Sequence, residues 1–200
     1  MKYIIEHLDE ELSQWSMWEY EQISKTVGKG SLIFTNIKDE KENNEKQKEN
    51  LEKLKKLGTV KQEQVNELKI DMKKACLLDP SAGKTLCPED ADTFDFLIFG
   101  GILGDNPPQG RTEKLLSPRL KGIEKRNLGE MQMSTDNAVK TAKMIVEDKI
   151  PFEKIKFIDE YELEITEKES VVLPYRYVFD DGKPFMHKKL LEYLKEHPFD

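Results

Sequence analysis

Two glycine-rich stretches hold the residue types that could do chemistry. The first reads FGGILGDNPP, with Gly100, Gly101 and Gly104 followed by Asp105 and a pair of prolines. The second reads NLGEMQMSTD, with Gly129, two methionines and two acids ahead of a helical pattern. Glycine permits tight turns and lets backbone approach a ligand closely. The run before the first stretch (Phe94, Phe96, Leu97, Ile98, Phe99) is apolar and strand-like. Two glycine loops side by side at strand ends are how an α/β sheet builds a pocket for a small ligand. Three glycines, an acid and two prolines within nine residues favour a site over a plain turn.

A third loop, 79–85, ends in Gly83-Lys84-Thr85, as a phosphate-binding P-loop does. That motif needs glycine at position 78, which is Leu78, and a following helix, where Cys87-Pro88 stand instead. GGILGD also lacks the GxGxxG spacing of a dinucleotide loop. Nucleoside triphosphate chemistry and Rossmann-type binding are therefore set aside, leaving a strand-end loop whose backbone lines a pocket. Cys76 and Cys87 lack CxxC spacing and nearby histidines, so no metal site and no disulfide are expected. His7, His187 and His197 are scattered and receive no metal or catalytic role.

Around these loops the pattern alternates strands and helices. Strands are expected at 2–6, 31–35, 75–78, 94–99 and from 122–125, with helices at 10–27 and 135–147. The opening strand–helix–strand unit implies a parallel sheet with a right-handed crossover. Ser134 or Thr135 suits the start of the second helix, and Asp136 complements its dipole. Late extended segments are expected at 155–158, 163–166 and 171–178, and a tail helix at 187–195. The segment 38–74 is different in kind. It is rich in Lys, Glu, Asn and Gln with a thin apolar stripe, and reads as a charged insertion of two surface helices split at Gly58-Thr59. Residues 1–200 are most simply one domain with that insertion.

Charge narrows the partners. The net charge is −7 and the isoelectric point about 5.2. The insertion holds 11 Lys against 9 acids, so the remainder carries 21 basic and 30 acidic residues. Nucleic-acid binding usually needs a basic footprint, whereas an acidic body favours a cationic partner. No apolar run approaches the roughly 20 residues that span a bilayer. The opening MKYIIEHLDEEL has no signal-peptide core. A cytoplasmic protein without membrane or DNA contact is expected.

The segments MKYIIEH, LLDPSAGKTLCPEDA, FGGILGDNPP, RNLGEMQMSTDNAV and LPYRYV, in that order, resemble the SPOUT methyltransferases. Within that superfamily they are most similar to the branch of protein-arginine methyltransferases acting on a small-subunit ribosomal protein. The resemblance spans most of the chain outside about 36–74. It implies an α/β SPOUT-like knotted fold: a mostly parallel sheet, helices on both faces, and a deep trefoil knot between the strand at Phe94 and the helix at Thr135. Composition and periodicity could not have shown that knot. The resemblance also implies S-adenosylmethionine as cofactor, in an apolar slot that recognises adenine mainly through backbone groups. Leu78, Pro80, Gly100, Gly101, Leu103, Gly104, Leu128, Gly129, Met131, Met133 and Thr135 would surround it.

An arginine acceptor sets a particular problem. Guanidinium is always protonated and is a poor nucleophile. Carboxylates must hold it, orient one nitrogen and take its proton. Asp105 and then Glu130 are the expected catalytic acids. Asp136 is assigned to substrate binding, with a helix-start role as its alternative. Arg126 is assigned to substrate binding near the cofactor carboxylate, with an ordinary ion pair as its alternative. The expected function is monomethylation of arginine in a small-subunit ribosomal protein. A tRNA or rRNA methyltransferase and a non-catalytic S-adenosylmethionine-binding module are the alternatives. RNA contact is allowed but not required. The resemblance implies a monomer, with a homodimer as the other arrangement.

Overall fold

The computed structural model describes residues 1–38, 45–101, 110–166 and 169–197. At its centre is a six-stranded sheet of β1 (Lys2–His7), β2 (Leu32–Thr35), β3 (Thr59–Val60), β4 (Ala75–Leu78), β5 (Phe96–Gly101) and β6 (Glu124–Arg126). The order is β3-β2-β1-β5-β4-β6, and every pairing is parallel. The winding reverses at β1 and β5, so their carboxyl ends flank a natural crevice. Central β1 holds its register through Ile5↔Phe34 on one side and Ile5↔Phe99 on the other.

Parallel strands need both faces covered, and every residue of β1 after Lys2 is buried. Among the described residues four α-helices accompany the sheet: α1 (Gln14–Val27), α2 (Glu45–Leu57), α3 (Thr135–Val146) and α4 (Lys188–Glu196). On one face Tyr3, Ile5 and Phe99 pack against Met17, Tyr20 and Ile23 of α1, Leu54 of α2 and Val139, Ala142 and Ile145 of α3. The opposite face buries Ile4, Leu77 and Ile98 under Val65, Leu116 and Leu120, which come from short 3-10 and π-helical turns. Each large apolar side chain so buried contributes about 1.5–3 kcal/mol.

Several boundaries differ from those expected, each for a local reason. Helix α1 begins at Gln14 rather than 10, because Ser13 is extended and its hydroxyl accepts the Ser16 N–H at 3.0 Å. It ends at Gly28, whose φ of +77° stops the helix at a residue that tolerates it. Among the described residues of 38–74 only one helix, α2, occurs. The second is replaced by strand β3 on the edge of β2 and by turns at Val65–Glu67 and Met72–Lys74. Nor is this segment a loose attachment. Leu54 and Val65 are fully buried, and the buried Asn50 side chain donates to Leu12 O at 2.8 Å. The apolar stripe read as a second helix instead places Val65, Leu68, Ile70 and Met72 on the far face of the sheet.

The late segments 155–158 and 163–166 fuse into one strand, β7 (Phe157–Thr166). It pairs antiparallel with β8 (Glu169–Asp180), and short β9 (Lys183–Pro184) follows. A bulge interrupts β7, where Glu160 has φ +53° and the register slips between Asp159 and Tyr161. The knot expected between Phe94 and Thr135 would involve 102–109, outside the described residues. Among the described residues no helix is long and apolar enough to cross a membrane.

Candidate active site

The carboxyl ends of β4, β5 and β6 lie side by side, and the chemistry-bearing loops leave from them. Gly100 and Gly101, expected in a turn, are the last residues of β5 and pair with Glu6 and His7. A Cβ at Gly101 would lie 2.5 Å from Ile5 Cγ2 and 2.6 Å from the Tyr20 hydroxyl. Close packing of α1 on the strand end, not a turn, demands glycine there. Leu103, Gly104 and Asp105 lie outside the described residues.

The loops after β4 and β6 are stitched together by Asn127. Its Nδ2 donates to Ala82 O at 2.6 Å, and its Oδ1 accepts the Thr85 hydroxyl at 2.9 Å and the Gly129 N–H at 3.0 Å. Its backbone N–H donates to Lys84 O, and its carbonyl accepts Leu86 N–H. Beneath, buried Asp79 accepts the Ser117 hydroxyl at 2.6 Å and both the N–H and hydroxyl of Ser81, with Lys125 Nζ at 3.3 Å. Burial pushes the Asp79 carboxyl up, but these donors outweigh it and hold it below the usual range. The loop that resembled a P-loop is thus organised around a buried aspartate, which would repel a phosphate.

Between these loops Leu78 and Leu128 are buried in the main core, with Met133 half-buried against them. Gly129 has φ +83°, and a Cβ there would meet Phe152 at 2.7 Å. Arg176 of β8 supports the loop from behind, donating its backbone N–H to Gln132 O at 2.8 Å. The Arg176 guanidinium forks onto Asp159 at 2.7 Å and lies over Phe157. Pro80, Glu130 and Met131 are exposed, and Thr135 is buried at the start of α3.

At that helix start lies a pair of acids. Asp136 is buried and accepts the Ser134 hydroxyl at 2.6 Å and the Asn137 N–H at 2.8 Å. Burial pushes its carboxyl up to about 6, against the pull of those donors. Glu19 of α1 is buried beside it and takes hydrogen bonds from the Trp15 indole and from the N–H and hydroxyl of Thr135. Burial, and then the Asp136 charge, push the Glu19 carboxyl well up. Sequence reading missed Glu19, because nothing in α1 signals a partner on a distant helix. It also missed Asn137, whose side chain is fully buried. That amide donates to Phe185 O at 3.0 Å and accepts Val178 N–H at 2.8 Å, tying α3 to β8.

Arg126 forks onto Asp90 at 2.9–3.1 Å, reaches Glu124 at 3.1 Å and lies over the Phe94 ring. The Asp90 hydrogen bonds raise the pKa of the guanidinium further. Arg126 is a strut between β6 and the turn Pro88–Asp92, and any substrate anion would have to displace Asp90.

Comparison with known proteins agrees with this geometry. A family model described as protein arginine N-methyltransferase SFM1-like matches residues 2–198. The protein arginine N-methyltransferase SFM1 of Saccharomyces cerevisiae is 40% identical over 206 residues, covering 98% of this chain and 95% of that protein. A crystal structure of the yeast arginine methyltransferase SFM1 complexed with SAM superposes with a TM-score of 0.87 at 38% identity, covering 98% of this chain and 90% of the other. The dual-specific Trm10 from Thermococcus kodakaraensis shares the fold alone, with a TM-score of 0.55 at 22% identity over 76% of this chain and 96% of that one. The resemblance read from the five sequence segments, and the mostly parallel α/β architecture it implied, are borne out.

Proposed function

The chain belongs to the SFM1-like family of protein arginine N-methyltransferases, and on that basis we propose that it transfers a methyl group from S-adenosylmethionine to an arginine of a small-subunit ribosomal protein. The residues present fit such a cofactor. Leu78 and Leu128 border the main hydrophobic core at the ends of β4 and β6 and Met133 packs against that core, so the loops leaving these strands offer apolar side chains beside backbone groups. The loops that follow β4, β5 and β6 would hold it. When bound, S-adenosylmethionine supplies an electrophilic methyl group.

The chain's own work is positioning and proton handling. Transfer to guanidinium releases one proton, so a carboxylate must receive it. Asp105 and Glu130 are the proposed acceptors, and Asp136 the proposed holder of the guanidinium. The observation that carries the reading is Asp136, a carboxylate buried where loop 127–134 meets α3. The net charge of −7 favours a cationic protein segment over RNA. The enzyme is proposed to act as a monomer in the cytoplasm, where ribosomal proteins are made.

The test is methyl transfer from radiolabelled S-adenosylmethionine into ribosomal extract, with and without ribonuclease. Label that survives ribonuclease and runs with one small-subunit protein is expected. Label lost with the RNA would make this a nucleic-acid methyltransferase.

A further inference from the structure

Loop 127–134 is fastened at its two ends, by Asn127 to the loop after β4 and by Ser134 to Asp136. Its middle is held from the β7–β8 hairpin. Among the described residues, the one backbone hydrogen bond that leaves the loop between Gly129 and Ser134 is that of the Arg176 N–H to Gln132 O, at 2.8 Å. The Arg176 side chain reaches the same stretch. A Cβ at Gly129 would stand 3.5 Å from Arg176 Nη1 and 2.7 Å from the Phe152 ring. Phe152 packs on Phe157 with ring centroids 5.4 Å apart, and the Arg176 guanidinium covers Phe157 at 4.9 Å from its centroid. Nε and Nη2 fork onto Asp159, both at 2.7 Å, which fixes the guanidinium plane. Asp159 and Arg176 are a cross-strand pair, and the register slips immediately beyond them. Pro174 and Tyr175 there stand opposite the single Glu160, which takes φ +53°. Such slips re-aim side chains beside sites. Asp159 is exposed, and an exposed ion pair adds little to stability. A planar fork stacked on a ring contributes geometry instead.

Building on the S-adenosylmethionine reading above, we propose that Arg176 is a positioning residue for the cofactor loop. Held by Asp159 and stacked on Phe157, its guanidinium and the Phe152 ring set how far the backbone at Gly129 can retreat from the strand ends. The loop is thereby kept in one shape before the cofactor arrives, which lowers the cost of ordering it on binding. Arg176 acts through Gly129 and Gln132 and does not itself touch the methyl donor.

The experiment compares wild type with Arg176→Lys and Asp159→Asn, by calorimetric titration with S-adenosylmethionine and by methyl transfer into ribosomal extract at rising cofactor concentration. Lysine keeps the charge and loses both fork and stack. For Arg176→Lys the cofactor Kd should rise about tenfold, and saturating cofactor should restore the transfer rate to within about twofold of wild type, an effect on KM rather than kcat. For Asp159→Asn the melting temperature should hold, since the pair is exposed. Its cofactor Kd should rise about threefold, because an unclamped guanidinium no longer braces the loop. The direction of that change separates positioning from direct contact. Were Arg176 to meet the carboxylate of the cofactor itself, removing the Asp159 charge would free the cation and tighten binding. Tighter binding in Asp159→Asn would therefore overturn the inference. So would an Arg176→Lys affinity within about twofold of wild type, or a rate deficit that saturating cofactor does not restore. If Arg176→Lys does not fold, the direction seen in Asp159→Asn decides alone. A wild type that binds no S-adenosylmethionine would overturn the underlying reading, and this inference with it.

Discussion

At the residue scale, the site depends on a few positions that tolerate no change of shape or charge. A Cβ at Gly101 meets Ile5 and Tyr20 at 2.5–2.6 Å. Gly101→Ala should therefore cost about 1–3 kcal/mol, the usual cost of overpacking, measured by denaturant unfolding. At Gly129 the φ of +83° and Phe152 at 2.7 Å both oppose a side chain. Gly129→Ala should weaken S-adenosylmethionine binding by about tenfold or more, since the loop must shift, as read by calorimetric titration. Asp136 gives a pH signature. Its carboxyl rises from an ordinary 3.8 to about 6 in the folded chain. An acid raised on folding stabilises the fold at low pH and loses that contribution as pH rises through the folded value. Wild type should lose more melting temperature between pH 4.5 and 7.5 than Asp136→Asn does, in thermal scans across that window. Of these positions the glycines were legible in the sequence as glycines, though Gly101 was assigned to a turn. Buried Glu19 was not legible, because its partner is contributed by a helix far along the chain.

At the element scale, the loops are fixed by side chains that bond to backbone. Asn127 joins the β4 and β6 loops through Ala82, Thr85 and Gly129. Asn127→Ala should unstitch them. The expected result is a tenfold or greater loss of cofactor affinity with a stability loss of about 1–3 kcal/mol, the cost of an unpaired buried group. Asn137, with bonds to Val178 and Phe185, ties α3 to the hairpin that backs the loop. The core strands were legible because runs such as Ala75–Leu78 are apolar throughout, as parallel strands must be. Strand β3 was not legible, since two residues carry no period. The spurious second helix arose from Val65, Leu68 and Met72, whose spacing mimics a helix while 3-10 turns bring them to the core. The break predicted within β7 reflects a real bulge at Glu160, which bends the strand without ending it.

At the scale of the whole molecule, fold and charge argue for one substrate class. A parallel sheet reversing at β1 and β5 brings three loop-bearing strand ends together. The chain as a whole carries a net charge of −7, so association with a basic protein should weaken as salt rises. Sequence order alone conveyed the family, because five short segments had to appear in one succession. It could not convey which acids meet, because contact between α1 and α3 is a property of packing. The most direct measurement is acid hydrolysis of the labelled product, followed by separation of its amino acids and nucleosides. The account predicts label in monomethylarginine alone, recovered from one small-subunit ribosomal protein. Label in a methylated nucleoside, or in an amino acid other than arginine, would contradict it.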